Sequence, residues 1–504
     1  MAKRKAPQAP SQAAVPAANP PAKKKARFSN PLPSAPPAHK AKAKTAAAPV
    51  QTPDATPDAP KRFVVSAGSY ERLLYGLECE IEPSTTSSSG YSLSVHPVFS
   101  FPAHLSSLKT VAASHLITPG TGSERKVGGK YLVSAGTDEV IKVWDLQRRK
   151  EVGILEGDTK GTITCMRFVP QRNMLVVASS DSTIVLYRVR DFVLLRSLKG
   201  HKGRVNAIDA HPDGRVALSV GQDRMLRMWD LVAGKSVATM KLGTEGDTVR
   251  WNTDGTKFVV ICNNQLTVYG LDMSIHHQLS AKSRFHDAQF CYFPLDKTDS
   301  AQREYLFVAC EDGKVRVFDV ANPTPVHVDE TTDLSDLDLP KIEPVALLTG
   351  HANRVKMMDL LEVALPTSDS ASSPSSTIVL TTISSDGKIN LYDLARLPTP
   401  SSTPSDGKGK GNKATVPAPI EAKEIEPVAS YDTDKTRLTC VCAIGLVERK
   451  KGADGKDVEE STDEEEAGDE EDGEETEEEE LSADEEDVEA EFEGFEDEEE
   501  GEEE

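Results

Sequence analysis

The chain has 504 residues, a formal net charge of -23, 38% hydrophobic residues and seven cysteines. No stretch reaches the roughly 18 apolar residues that a membrane-spanning helix needs, and MAKRKAPQAP at the start holds no apolar signal segment, so a soluble, intracellular protein is expected. Cys79, Cys165, Cys262, Cys291, Cys310, Cys440 and Cys442 are scattered and odd in number, which argues against a disulfide framework; Cys440 and Cys442 lack the second pair or nearby His of a metal site and are expected to pack in the core.

The charge is located at the two ends. Residues 1–62 carry 12 Lys or Arg against Asp54 and Asp58, and residues 459–504 carry 31 Asp or Glu with no Lys or Arg. Subtracting these from 58 basic and 81 acidic residues leaves 46 and 48, a nearly neutral middle long enough for a large core. The arm 1–62, rich in Ala, Pro and Lys, is expected to be disordered. Its clusters Lys3, Arg4, Lys5 and Lys23, Lys24, Lys25, Arg27, separated by 17 residues, resemble a bipartite nuclear import signal, and the same blocks suit a general phosphate-binding arm.

A folded domain is read over 63–447. FVVSAGSYERLLYGLECEI opens it, with Ser69 at a turn and Tyr75 six residues on. The same rhythm of turn residue, five residues and aromatic then recurs at Asp138 and Trp144, Asp181 and Tyr187, Asp223 and Trp229, Asn263 and Tyr269, Asp312 and Phe318, and Asp386 and Tyr392. Asp and Asn suit the turn because their short side chains bond nearby backbone, and alternating apolar residues on each side give half-buried strands. The aromatics are spaced by 43, 42, 40, 49 and 74 residues, close to the period of roughly 40 to 45 in WD repeats where no insertion intrudes. The expectation is all-β: a seven-bladed WD40 β-propeller, with blades near 98–156, 157–199, 200–242, 243–280, 281–349 and 350–430. The seventh blade combines residues 63–81 with the orphan strand 436–445, so N- and C-terminal strands close the ring and no sheet edge stays open. Insertions near 118–129, 324–344, 365–377 and 398–424 read as exposed loops, and GKGKGNK at 407–413 lacks the spacing of a phosphate-binding loop. Residues 448–504 read as a disordered acidic tail in which Ser461, Thr462 and Ser482 sit in an acid-directed kinase setting.

Candidate site residues fall into two groups. His201, Ser219, Asp223 and Trp229 suit a buried polar relay inside the third blade; the first blade keeps Ser134, Asp138 and Trp144, and the sixth keeps His351, Thr382, Asp386 and Tyr392. A hydrolase triad is the other reading of such residues, and no nucleophile elbow accompanies them, so no enzyme, catalytic residue, cofactor or metal is expected. HKGRV, AKSRF, HANRV and DKTRL place Arg204, Arg284, Arg354 and Arg437 at one recurring position before the first strand of a blade. By the resemblance to WD repeats that position lies on the rim of the central channel, where guanidiniums would hold an acidic peptide or an RNA backbone; the alternative is that each Arg braces its own loop.

AGSYERLLYG, GTITCMRF at 161–168, HKGRVNAIDAHPDGRVALSVGQDRMLRMWDLVAGKS at 201–236, HANRVKMMDL at 351–360 and TRLTCV at 436–441 resemble the PAK-interacting WD-repeat family, large-ribosomal-subunit assembly factors of the maintenance-of-killer type. The resemblance covers most of 63–447. It implies a non-enzymatic scaffold in nuclear and nucleolar pre-60S particles that supports pre-rRNA maturation, with pre-60S proteins and pre-rRNA as partners and a monomer within the larger assembly. It also implies an alternative, restraint of a p21-activated protein kinase. A histone-binding chromatin factor would fit the acidic tail but none of the family-like segments.

Overall fold

The computed structural model describes residues 59–446 apart from 85–89, 116–125, 156–158, 170, 295–301, 322–325, 327–341, 367–375 and 399–421. The import clusters, the acidic tail and most of the four insertions lie outside these residues.

The described residues form seven sheets, antiparallel apart from one parallel pair at the outer edge of the fifth, each hydrogen-bonded from an inner strand outward. The third blade is representative: β12 (Val205–Ala210), β13 (Val216–Gly221), β14 (Met225–Asp230) and β15 (Lys235–Lys241). Its second strand, VALSVG, is buried on both faces because neighbouring blades stack against it, whereas the outermost strand KSVATMK is largely exposed. There is accordingly no single central core. Seven apolar clusters each span one boundary between adjacent blades: Val176, Ile184 and Ala178 of the second blade, for example, pack with Val205, Ile208 and Trp229 of the third. Sheet edges that would be liabilities in an open stack are consumed by the ring.

The closing blade is built as expected, from both ends of the domain. β29 (Leu438–Gly445) is its inner strand and pairs with β1 (Arg62–Ser69), which pairs with β2 (Leu73–Pro83). Val65 thus faces Ala443 on one side and Leu77 on the other. Thr439 extends the clasp, donating to the carbonyls of Gly68 at 3.0 Å and Leu108 at 2.8 Å.

Three expectations are corrected. First, β3 (Tyr91–Pro102) is the outer strand of the closing blade, so the first blade begins not at 98 but with β4 (Leu108–Ala113). Second, the closing blade follows a different frame from Ser69 and Tyr75. Gly68 pairs with Leu74 as Val220 pairs with Leu226, which puts Glu71 at the turn position of Asp223 and Leu77 at the position of Trp229. Backbone conformation agrees: Arg72 takes φ 72° as Glu139, Ser182, Arg224, Gly313 and Gly387 do, each directly after its turn acid. Third, the fifth blade has five strands, because β27 (Lys423–Ile425) leaves the sequence range read as the sixth blade and pairs in parallel with β23 (Ala346–Leu348).

Candidate partner-binding site at the channel mouth

The polar relays come first, because they hold the loops that shape the mouth. In the third blade His201 Nδ1 lies 2.8 Å from Asp223 Oδ2 and Nε2 lies 2.7 Å from Ser219 Oγ, which also accepts from Trp229 Nε1 at 2.7 Å. Burial lowers the His201 pKa, only partly offset by Asp223, so the ring is neutral. With Nδ1 protonated, the chain runs from the Trp229 indole to Ser219, from the Ser219 hydroxyl to His201, and from His201 to Asp223, leaving each group satisfied. Burial works to raise the Asp223 carboxyl, but its bonds to the Lys202 amide and His201 outweigh it and hold the group below its ordinary range. Ser219 is fully buried, so the hydroxyl is closed to any substrate and the set is structural.

The first blade contains the same relay, with a member that sequence reading missed. His104 joins Asp138 and Ser134, each at 2.8 Å, and Trp144 Nε1 donates to Ser134 at 2.8 Å. The sixth blade departs from it. His351 Nε2 bonds Thr382 at 2.8 Å, but Nδ1 is 3.5 Å from Asp386 and the Tyr392 hydroxyl donates to the Thr349 carbonyl at 2.7 Å.

The four arginines do occupy one structural position. Each precedes an inner strand, and its carbonyl accepts from the turn between the second and third strands: Arg204 from Gln222 at 2.8 Å, Arg284 from Glu311 at 3.0 Å, Arg354 from Ser385 at 3.3 Å and Arg437 from Tyr70 at 2.8 Å. Only three are brought together. Arg284, Arg354 and Arg437, on three consecutive blades, line a recess of about 570 Å3 with Lys356 and His286. Arg204 lies outside its lining, held by Asn206 at 2.7 Å and Glu245 at 3.1 Å.

Loop bracing, the other reading of these arginines, is present in part. Arg284 pairs with Asp247 at 2.6 Å, Arg354 bonds Ser385 at 3.1 Å and lies 3.6 Å from Glu311, and the Arg437 guanidinium sits 5.3 Å from the Tyr70 ring centroid. Lys356, two residues after Arg354, is the member that sequence reading missed, as His286 two after Arg284 was. It is half-buried and makes no ion pair among the described residues. Burial, followed by Arg354, Arg284 and Arg437, pushes its pKa down to about 8 against a weaker pull from Glu311. The three guanidiniums add to the effect of burial on Lys356, so positive charge is concentrated around it among the described residues.

Deeper in the channel the charges are paired. Arg250 bonds Asp287 at 2.9 Å and Arg167 lies 3.7 Å from Asp209, while Lys126 pairs with Asp359. The acids also accept from backbone amides of the following inner strands: Asp209 from Trp251 at 2.8 Å, Asp287 from Met358 at 3.1 Å and Asp359 from Ala443 at 2.8 Å. This layer ties blade to blade; the mouth is where cations remain available. The cysteines serve packing: none forms a disulfide, and burial pushes the Cys79 and Cys440 thiols up to about 12.

The profile of the family described as "WD domain, G-beta repeat" matches residues 149–188 and 192–230. Each matched unit supplies the outer strand of one blade and the first three of the next. The chain is 31% identical over 333 residues to p21-activated protein kinase-interacting protein 1 of Bos taurus, covering 66% of this chain and 70% of the relative. It is 29% identical over 355 residues to Protein MAK11 of Saccharomyces cerevisiae, covering 66% of this chain and 78% of that protein. It is 32% identical over 253 residues to p21-activated protein kinase-interacting protein 1-like of Gallus gallus, covering 50% of this chain and 59% of that one. With seven blades, a two-ended closure and these relatives, the chain belongs to the PAK-interacting WD-repeat family, of the MAK11 type.

Proposed function

We propose that the protein is a non-enzymatic scaffold for assembly of the large ribosomal subunit, acting in the nucleus and nucleolus within pre-60S particles during pre-rRNA maturation. The observation that carries this reading is the similarity to MAK11 over 355 residues, 66% of this chain and 78% of that protein. The structure supports a positional mechanism. Apolar clusters at all seven blade boundaries stiffen the ring, so loops at its mouth keep fixed spacing while a partner is held. The cationic recess of Arg284, Arg354, Arg437 and Lys356 supplies the charge for an anionic partner segment.

The names of the relatives favour a second reading, restraint of a p21-activated protein kinase. Affinity purification of the tagged chain from nuclear extract, with and without ribonuclease, separates the two. Large-subunit precursor RNA and its proteins recovered together, and lost with ribonuclease, is the outcome the scaffold reading requires. A kinase recovered in stoichiometric amount without RNA, and insensitive to ribonuclease, would replace it.

A further inference from the structure

We propose that the recess at the channel mouth is a docking site for the chain's own acidic segment, residues 459–504, held in cis by Arg284, Arg354, Arg437 and Lys356. The inference concerns the isolated chain and stands apart from the particle reading. Among the described residues, four cations converge on one recess with Asp247 and Glu311 as the acids that line it, and Lys356 meets neither within ion-pair distance. An anion entering here offsets the repulsion from Arg354, Arg284 and Arg437 that, after burial, helps to hold Lys356 down to about 8.

The segment complements this site in charge and in reach. It holds 31 carboxylates and no basic residue, so many registers present adjacent acids to the same four cations. Arg437 stands at the mouth and β29 runs from it to Gly445, a rise of about 27 Å. The 13 residues 446–458 span up to about 45 Å when extended, enough to return towards the mouth before the acidic run begins. Tethering at this distance gives an effective concentration in the millimolar range, which an unlinked acidic ligand must exceed.

The test uses the full chain. Zero-length carbodiimide coupling at low salt, followed by mass spectrometry, is expected to join Lys356 to Asp or Glu within 459–504. Mixing isotopically light and heavy protein should show the link within one chain, and 1 M salt should remove it. In parallel, a labelled ten-residue oligoglutamate should bind at least ten-fold tighter to a chain whose acids in 459–504 are replaced by Gln and Asn, a change that leaves the propeller untouched. Arg437→Gln, at an exposed site, should weaken that binding. Coupling of Lys356 only to Glu311 or Asp247, links only between chains, or equal oligoglutamate affinity with and without the acids would overturn the proposal. So would tighter binding of a ten-nucleotide single-stranded RNA than of oligoglutamate to the neutralised chain.

Discussion

Thr439 donates to the carbonyl of Gly68 across 371 positions of sequence, and the strands that carry them make one blade out of the two ends of the domain. Everything between is held in a ring by that pairing. Replacing Val441, which is fully buried in the closing strand, by Asp should cost about 3–5 kcal/mol, since an unpaired charge would enter the cluster it shares with Phe63 and Val65. Urea unfolding followed by tryptophan fluorescence reads the loss; a change under 1 kcal/mol would mean that the strand is dispensable.

The relays give a second prediction. Ser219→Ala strands both the Trp229 indole and His201 Nε2, at a cost of about 1–3 kcal/mol, and Ser134→Ala should cost a similar amount because His104 and Trp144 depend on it in the same way. Thermal denaturation of the two variants tests the equivalence. A stable Ser134→Ala beside a destabilised Ser219→Ala would show that the first-blade relay carries no weight.

Sequence reading reached the propeller through alternation and turn acids, signals that depend only on local physics. His104 escaped because its distance to Asp138 is stretched by the long hairpin between β4 and β5 (Tyr131–Gly136), so it does not stand in the frame of His201 and Asp223. Ser69 and Tyr75 satisfied the spacing of six without the geometry: the hairpin turn falls at Glu71, whose acid reads as ordinary charge in SYERLL. β3 pairs with β2 directly before it, but it holds Pro97 and carries no turn acid with an aromatic six residues on, so its end from 98 reads as the start of the next blade. At the mouth the arginines were visible as a recurrence, while Lys356 was not. Its meaning comes from burial and from Arg284 and Arg437 on the two adjacent blades as well as from Arg354 beside it, a relation no single segment contains.

Those neighbours set a third prediction. The Lys356 pKa, pushed down to about 8 by burial and by Arg354, Arg284 and Arg437, should rise towards 10.5 in Arg354→Gln. Titration of the lysine side chain by nuclear magnetic resonance reads it directly. An unshifted value in the variant would remove Arg354 from the causes of the depression.

Acid stability gives a fourth. Burial, then Lys126, lowers His115 to about 4, and burial, then Lys257 and His276, lowers His277 to about 4. Both are neutral in the fold and charge on unfolding at the ordinary value of 6.5, so the unfolded chain binds more protons between the two. Their stabilisation is present above pH 6.5 and is lost as pH falls towards 4. The melting temperature should therefore decline through that window while remaining level from pH 7 to 8. A flat profile from pH 6.5 to 4.5 would contradict the burial of these rings.

The most direct measurement of the central claim is sedimentation of the tagged chain from nuclear extract through a sucrose gradient, reading large-subunit precursor RNA in each fraction, for the wild type and for Arg284→Glu, Arg354→Glu, Arg437→Glu combined. The account predicts that the wild type comigrates with precursor particles in a ribonuclease-sensitive peak, and that the triple variant, folded by circular dichroism, shifts to light fractions. A wild-type chain that sediments lightly, carries no precursor RNA and ignores ribonuclease would contradict it.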